Sequence, residues 1–244
     1  MKRNPAFLFF IILLLLPFSK QLYSQDIENA LTSSQIRSII ENTYGPDSRL
    51  VSGTLYRGAR QGSVAGHPYQ IDEKWKTGYV IIDNLLFDSL LLKYDIFDNK
   101  LVLNTANISN SAVSLCINMD KTSRFGINGH NFVPFPSGKD VSGRRFSEAL
   151  VEGTLSYLVL KRKDLNIDGA GVDFSYKTYE HQYLLFNNEL IKFKSKRTFF
   201  KLFPAFKDEL KKYIRQENLK MPGKRPENLI KLTEYCNTLL NNTQ

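Results

Sequence analysis

From Leu50 onward, apolar and polar residues alternate, the period of strands that bury one face. Tyr79 to Ile82, the dipeptide Asp83-Asn84, and Leu85 to Phe87 read as a hairpin with a two-residue turn. Leu90, Leu92, Tyr94 and Ile96 share one face of the next strand, with Lys93 and Asp95 on the other. Asp98-Asn99-Lys100 then turns the chain into Leu101-Val102-Leu103. Further strands are predicted at Ala112 to Met119, Gly129 to Val133, Phe146 to Glu152, Thr154 to Leu160, Gln182 to Phe186 and Leu190 to Phe193. The short connections favour antiparallel neighbours, since parallel ones need long crossovers. The predicted fold is mainly β: an antiparallel meander, as a curved sheet or a barrel-like half-shell, over residues 50–203.

Helical spacing appears only at the two ends. Thr32-Ser33-Ser34 can cap a short helix carrying Ile36, Ile39 and Ile40 within an N-terminal segment, 25–49. Pro204 opens a C-terminal helix with Phe206, Leu210, Tyr213 and Ile214 on one stripe. Past a basic linker, a second helix opens at Pro226 with Leu229, Leu232, Cys236 and Leu239 inward. This pair, within 204–244, is expected to cover the sheet.

At the start of the chain, Lys2 and Arg3 precede an apolar run from Ala6 to Leu16. Eleven residues reach about half of a ~30 Å hydrocarbon core, so the run reads as a signal peptide over 1–24. An exported chain, periplasmic or extracellular, with no stable transmembrane anchor after cleavage is the expectation. The formal charge of +9 drops by three, to +6, without Lys2, Arg3 and Lys20. For an exported protein that balance suits an anionic envelope component rather than nucleic acid. Abundant Tyr and Phe would equally suit a small apolar ligand that stacks on rings. Export permits a disulfide between Cys116 and Cys236. Yet Cys116 points away from the Val113, Leu115, Ile117 and Met119 face, and Cys236 continues a helical apolar stripe.

Candidate chemistry is sparse. Asp164, Asn166 and Asp168, followed by Gly169, form the first half of a calcium loop. Position twelve is Ser175 instead of a glutamate, Asp173 would need a different closure, and Lys161 to Lys163 oppose a dication. A polar hairpin loop is the competing reading. His67, Arg60 and Asp95 are the candidates for a hydrolase site assembled from distant residues. Asp95 and Asp98 also fit a solvated turn, and His67, ahead of Pro68, an extended link. Lys192, Lys194 and Lys196 alternate along one strand face, with Lys201 close by, as a candidate basic patch. No nucleophile elbow and no phosphate-binding loop motif is present.

Three stretches carry a family resemblance. These are Gly66-His67-Pro68-Tyr69 ahead of Trp75 and Gly78, then Leu92-Lys93-Tyr94-Asp95 ahead of Asp98 and Leu101-Val102. The third is the strand Leu190 to Phe193 leading into two helices. In these the chain resembles a family of exported bacterial proteins of unassigned function. The resemblance implies a β-rich envelope or secreted protein and supplies no catalytic residues. The expected function is non-enzymatic binding or structure in the envelope, with a hydrolase or a calcium-stabilised module as alternatives.

Overall fold

The computed structural model describes residues 47–51, 53–58, 64–106, 111–136, 145–167, 174–221 and 226–242. The predicted leader and nearly all of the predicted N-terminal helical segment lie outside them. The described part is mainly β, as the alternation predicts. Helix α1 (Ser48–Val51) precedes strands β1 (Val64–Ala65), β2 (Lys76–Ile82), β3 (Leu85–Asp95), β4 (Lys100–Ala106) and β5 (Ala112–Cys116). Strands β6 (Thr122–Ile127), β7 (His130–Pro134), β8 (Phe146–Val151), β9 (Leu155–Ile167), β10 (Phe174–Phe186) and β11 (Glu189–Lys192) follow. Helices α2 (Arg197–Leu202), α3 (Lys207–Gln216) and α4 (Glu227–Asn241) complete it.

The strands form one open sheet in the order β5-β4-β3-β2-β6-β7-β8-β9-β10, with β1 and β11 both on β10. All pairs are antiparallel except β1 with β10, so the sheet is mixed where a purely antiparallel one was expected. The turns explain the hairpins. Asp83-Asn84, Asn128-Gly129 and Asn187-Asn188 all have positive φ at both positions, the two-residue geometry that matches strand twist. The link from β5 to β6 forces curvature. Three strands at ~4.8 Å spacing separate them, yet residues 117–121 include a turn and would barely reach when fully extended.

Register places both cores on one side of the sheet. Val80, Phe125, Phe132, Glu148, Val159 and Gln182 are successive cross-strand partners from β2 to β10, so their side chains share a face. At the β2 end of this row, Val80, Leu92, Tyr94, Leu101, Phe125, Phe132 and Phe146 form the first core. At the β10 end, Leu155, Tyr157, Val159 and Leu184 meet Phe199 of α2, Leu210 of α3, and Leu229, Leu232 and Cys236 of α4. Each such buried side chain contributes about 1.5–3 kcal/mol of transfer free energy. Asn237 fixes α4 to the sheet: it accepts from the Leu155 amide at 2.8 Å and donates to the Leu155 carbonyl at 2.9 Å.

Several element bounds differ from the sequence reading. An extra helix, α2, precedes Pro204, because Phe199 and Phe203 fill the second core and bend the chain inward. Strands β9 and β10 pair without interruption over thirteen residues each, well past the predicted ends. Both cysteines are free; Cys236 is buried on α4 and Cys116 is half-buried on β5. Among the described residues no helix is long and apolar enough to cross a membrane.

The segment before β2 works as a strap. Leu55 pairs with Leu115, the Cys116 amide donates to Thr54, and the Tyr56 amide donates to Ser114, all along the outer side of β5. A few residues later β1 lies on β10, at the other extreme of the sheet. β5 and the start of β10, near the two extremes of the sheet, thus receive main-chain partners from residues that precede β2, which blunts part of each edge that would otherwise template association.

Candidate functional site

The residues proposed from sequence fall in three places. The first is the turn of the strap at Gly66-His67-Pro68-Tyr69-Gln70. Tyr69 bridges to Asp95, the Gln70 amide donates to Tyr94 at 2.8 Å, and the Ile96 amide donates to Pro68 at 3.1 Å. The stretch is thus an extended link laid against the end of β3. Lys163 of β9 fastens it from the other side, donating to the carbonyls of His67 at 2.7 Å and Tyr69 at 2.8 Å. Its ammonium also lies 3.3 Å from His67 Nδ1. Burial, and then the Lys163 charge, hold the His67 imidazole below its ordinary range, and burial lowers Lys163 as well.

Asp95 is fully buried, in contrast to the solvated turn expected for it. One oxygen accepts from the amides of Phe97 at 2.9 Å and Asp98 at 2.8 Å. The other accepts the Tyr56 hydroxyl at 2.7 Å. Asp95 does sit at the turn that ends β3, but Tyr56 of the strap covers it, and nothing in the sequence near Tyr56 signals that contact. Burial raises the Asp95 carboxyl, and the same surroundings drive Tyr56 well above the phenol range. Next to this cluster, Lys93 lies over the rings of Tyr69 at 4.8 Å and Trp75 at 4.2 Å. The cavity beside them, bounded by Tyr69, Lys93 and Tyr94, holds about 10 Å³, room for about one water. His67 therefore faces a cation and Asp95 is engaged by three donors, so neither is presented to a cleft as a general base. Arg60 lies outside the described residues.

The second place is the candidate calcium loop. Asp164 and Asn166 sit inside β9, opposite Lys177 and Ser175. Asp164 lies 3.5 Å from Arg162, while Asp168 and Asp173 lie outside the described residues. Among the described residues no three metal-ligating side chains gather.

The third place is the basic run. Lys192, Lys194 and Lys196 do not share a strand face, because β11 ends at Lys192. Phe193 still donates its amide to Gln182 of β10 at 2.9 Å and sets its ring 6.0 Å from that of Phe199, and beyond it the chain turns into α2. Lys196 becomes the residue before α2. The turn creates a groove of about 520 Å³ between β11 and α2. Lys192, Lys194, Arg197 and Lys201 line it, with Ser195 and Thr198 as hydroxyl donors and Glu189 as its single carboxylate among the described residues.

Sequence reasoning missed a fourth cluster, where the row of cross-strand partners turns polar between the two cores. Glu148 is buried on β8. His130 Nδ1 lies 2.6 Å from its carboxylate, Gln70 donates to it at 3.4 Å, and Lys161 is 3.8 Å away. Lys161 also lies 3.7 Å from Glu180. His130 had read as a turn residue; it starts β7. A glutamate on the same side as Phe146 was the available signal, since a charged residue on a core face needs a partner. Comparison with family models, curated proteins and solved structures finds no match to this chain.

Proposed function

We propose that the protein is an exported, non-enzymatic binding protein of the cell envelope, and that it holds an anionic group in the groove between β11 and α2. One observation carries the reading: four cationic and two hydroxyl residues line a 520 Å³ concavity with one carboxylate among the described residues. Cations gathered at one surface repel each other, an arrangement that a bound anion relieves. The groove rests on a rigid base, because Phe199 and Phe203 anchor α2 in the second core. The predicted leader and the surplus of cations fit the same reading.

The test is calorimetric titration of inorganic phosphate and of galacturonate into the protein and into the double variant Lys194→Ala/Arg197→Ala. Binding is expected to weaken about tenfold in the variant and to fall with added salt. Equal affinity in both proteins refutes the assignment.

A further inference from the structure

One residue of the groove, Lys192, also belongs to a longer row of side chains. β9 and β10 pair in continuous register, so the side chains on the side away from the two cores can be read from the partners. Lys192 of the groove stands opposite Tyr183. From Tyr183, alternate residues lead along β10 through His181 and Tyr179 to Lys177, and Arg162 of β9 stands opposite Tyr179. Lys177, Arg162 and Lys192 are exposed, while Tyr179 and His181 are half-buried. The Arg162 guanidinium lies 5.1 Å and the Lys177 ammonium 5.5 Å from the centre of the Tyr179 ring. From Tyr183 to Lys177 the row runs about 20 Å at ~3.4 Å per residue. Asp164 shares the face, opposite Lys177 and beside Arg162.

We propose that this row and the groove together form a track for a single chain of an acidic polysaccharide. The proposal rests on the reading of the groove as an anion site and names its ligand class. A small anion can satisfy the groove but cannot also reach Arg162 and Lys177. A polymer with a carboxylate or sulfate on successive sugars does both at once, and each added contact becomes intramolecular. Rings and cations stand side by side along the line, Lys192 beside Tyr183 and Arg162 beside Tyr179, with Lys177 at its far end. Tyr183 is packed against Phe135, so the half-buried Tyr179 ring is the one that meets the apolar C–H side of a sugar, while Lys192, Arg162 and Lys177 pair with its anionic groups. The Tyr179 ring already has contacts from both Arg162 and Lys177, which favour one position for it before any ligand arrives. Single-stranded nucleic acid has the same general chemistry of stacking plus charge. The predicted export leader ranks the glycan first and makes nucleic acid an outcome of the test.

The experiment measures affinity at low salt for oligogalacturonates of about two to about twelve units. It compares the intact protein with Arg162→Ala/Tyr179→Ala and Lys194→Ala/Arg197→Ala, each shown to be folded by near-ultraviolet circular dichroism. In the unmodified protein, affinity is expected to climb at least about tenfold from the shortest to the longest oligomer. Arg162→Ala/Tyr179→Ala should bind the shortest oligomer normally and lose that gain. Lys194→Ala/Arg197→Ala should weaken every length. If Arg162→Ala/Tyr179→Ala matches the parent at all lengths, the track is overturned and the groove assignment stands. If Lys194→Ala/Arg197→Ala is silent as well, both fall. Tighter binding of oligodeoxythymidylate than of an oligogalacturonate of equal charge overturns the glycan assignment.

Discussion

Asp95 offers the sharpest test of how the strap is held. Its carboxylate is fully buried and accepts three hydrogen bonds of 2.7 to 2.9 Å, two from the turn that ends β3 and one from Tyr56 of the strap. Asp95→Ala removes all three acceptors. The amides of Phe97 and Asp98 lie at a partly exposed turn and regain water, so their loss is small. The Tyr56 hydroxyl, pinned between strap and sheet, loses its carboxylate acceptor and keeps the Tyr69 hydroxyl beside it, at a cost of about 1–3 kcal/mol. Relief of the buried charge offsets part of this, which leaves a net loss of about 2 kcal/mol and a Tm lower by about 4–8 °C. Asp95→Asn keeps an oxygen for the two amides and reverses the bond to Tyr56. Its loss should stay below about 1 kcal/mol.

The pH dependence supplies the second arm. Burial raises the Asp95 carboxyl above its unfolded value, so the folded chain holds this proton more tightly than the unfolded chain does. The contribution of Asp95 to stability is therefore greatest below the unfolded carboxylate value near 3.9. It is lost as pH rises through the higher folded value and is flat beyond that. Asparagine does not titrate. Urea unfolding of both proteins between about pH 3.5 and 7 should show the parent losing stability relative to Asp95→Asn as pH rises, then a constant difference. Parallel curves across the range, or an Asp95→Ala protein as stable as the parent, would refute the reasoning.

Two further perturbations probe the strap at other points. A Cβ at Gly53 would overlap the carbonyl oxygen of Cys116, so Gly53→Ala should lift residues 54–56 from β5. The expected cost is about 2–3 kcal/mol in thermal unfolding, with faster hydrogen exchange at the Cys116 and Tyr56 amides; an unchanged Tm rejects the contact. Lys163→Met should cost about 1–3 kcal/mol by stripping donors from the His67 and Tyr69 carbonyls. Because the Lys163 charge depresses His67, the His67 titration followed by NMR should also move upward in that variant, and an unmoved midpoint rejects the pairing.

The parts of this fold that local chemistry dictates could be read from the chain. Asp83-Asn84 and Asn187-Asn188 announce their hairpins because few other residue pairs tolerate positive φ twice in succession. The stripe of Leu210 and Ile214, and that of Leu229, Leu232 and Cys236, announce α3 and α4 because helical spacing brings those side chains to one face. What remained hidden depends on distant strands meeting. Nothing near Lys163 hints that its ammonium closes on carbonyls about a hundred positions upstream, or that Tyr56 finds Asp95.

The basic run shows how a correct local pattern can still mislead about a site. Lys192, Lys194 and Lys196 alternate as strand residues should, but alternation cannot register that Phe199 gains more by entering the second core, with Phe193 packed against it, than the chain would by continuing a sheet edge. Burying the Phe199 ring is worth about 1.5–3 kcal/mol, more than a few edge hydrogen bonds exposed to water return. The chain therefore turns, Lys196 leaves the row, and Arg197 and Lys201 come in from α2 to face Lys192 and Lys194. A flat basic edge would only discourage association, whereas the turn produces a concave surface with cations on two walls. The aromatic core thus creates the groove. It follows that Phe199, though it faces away from any ligand, sets the spacing of the cations that would bind one.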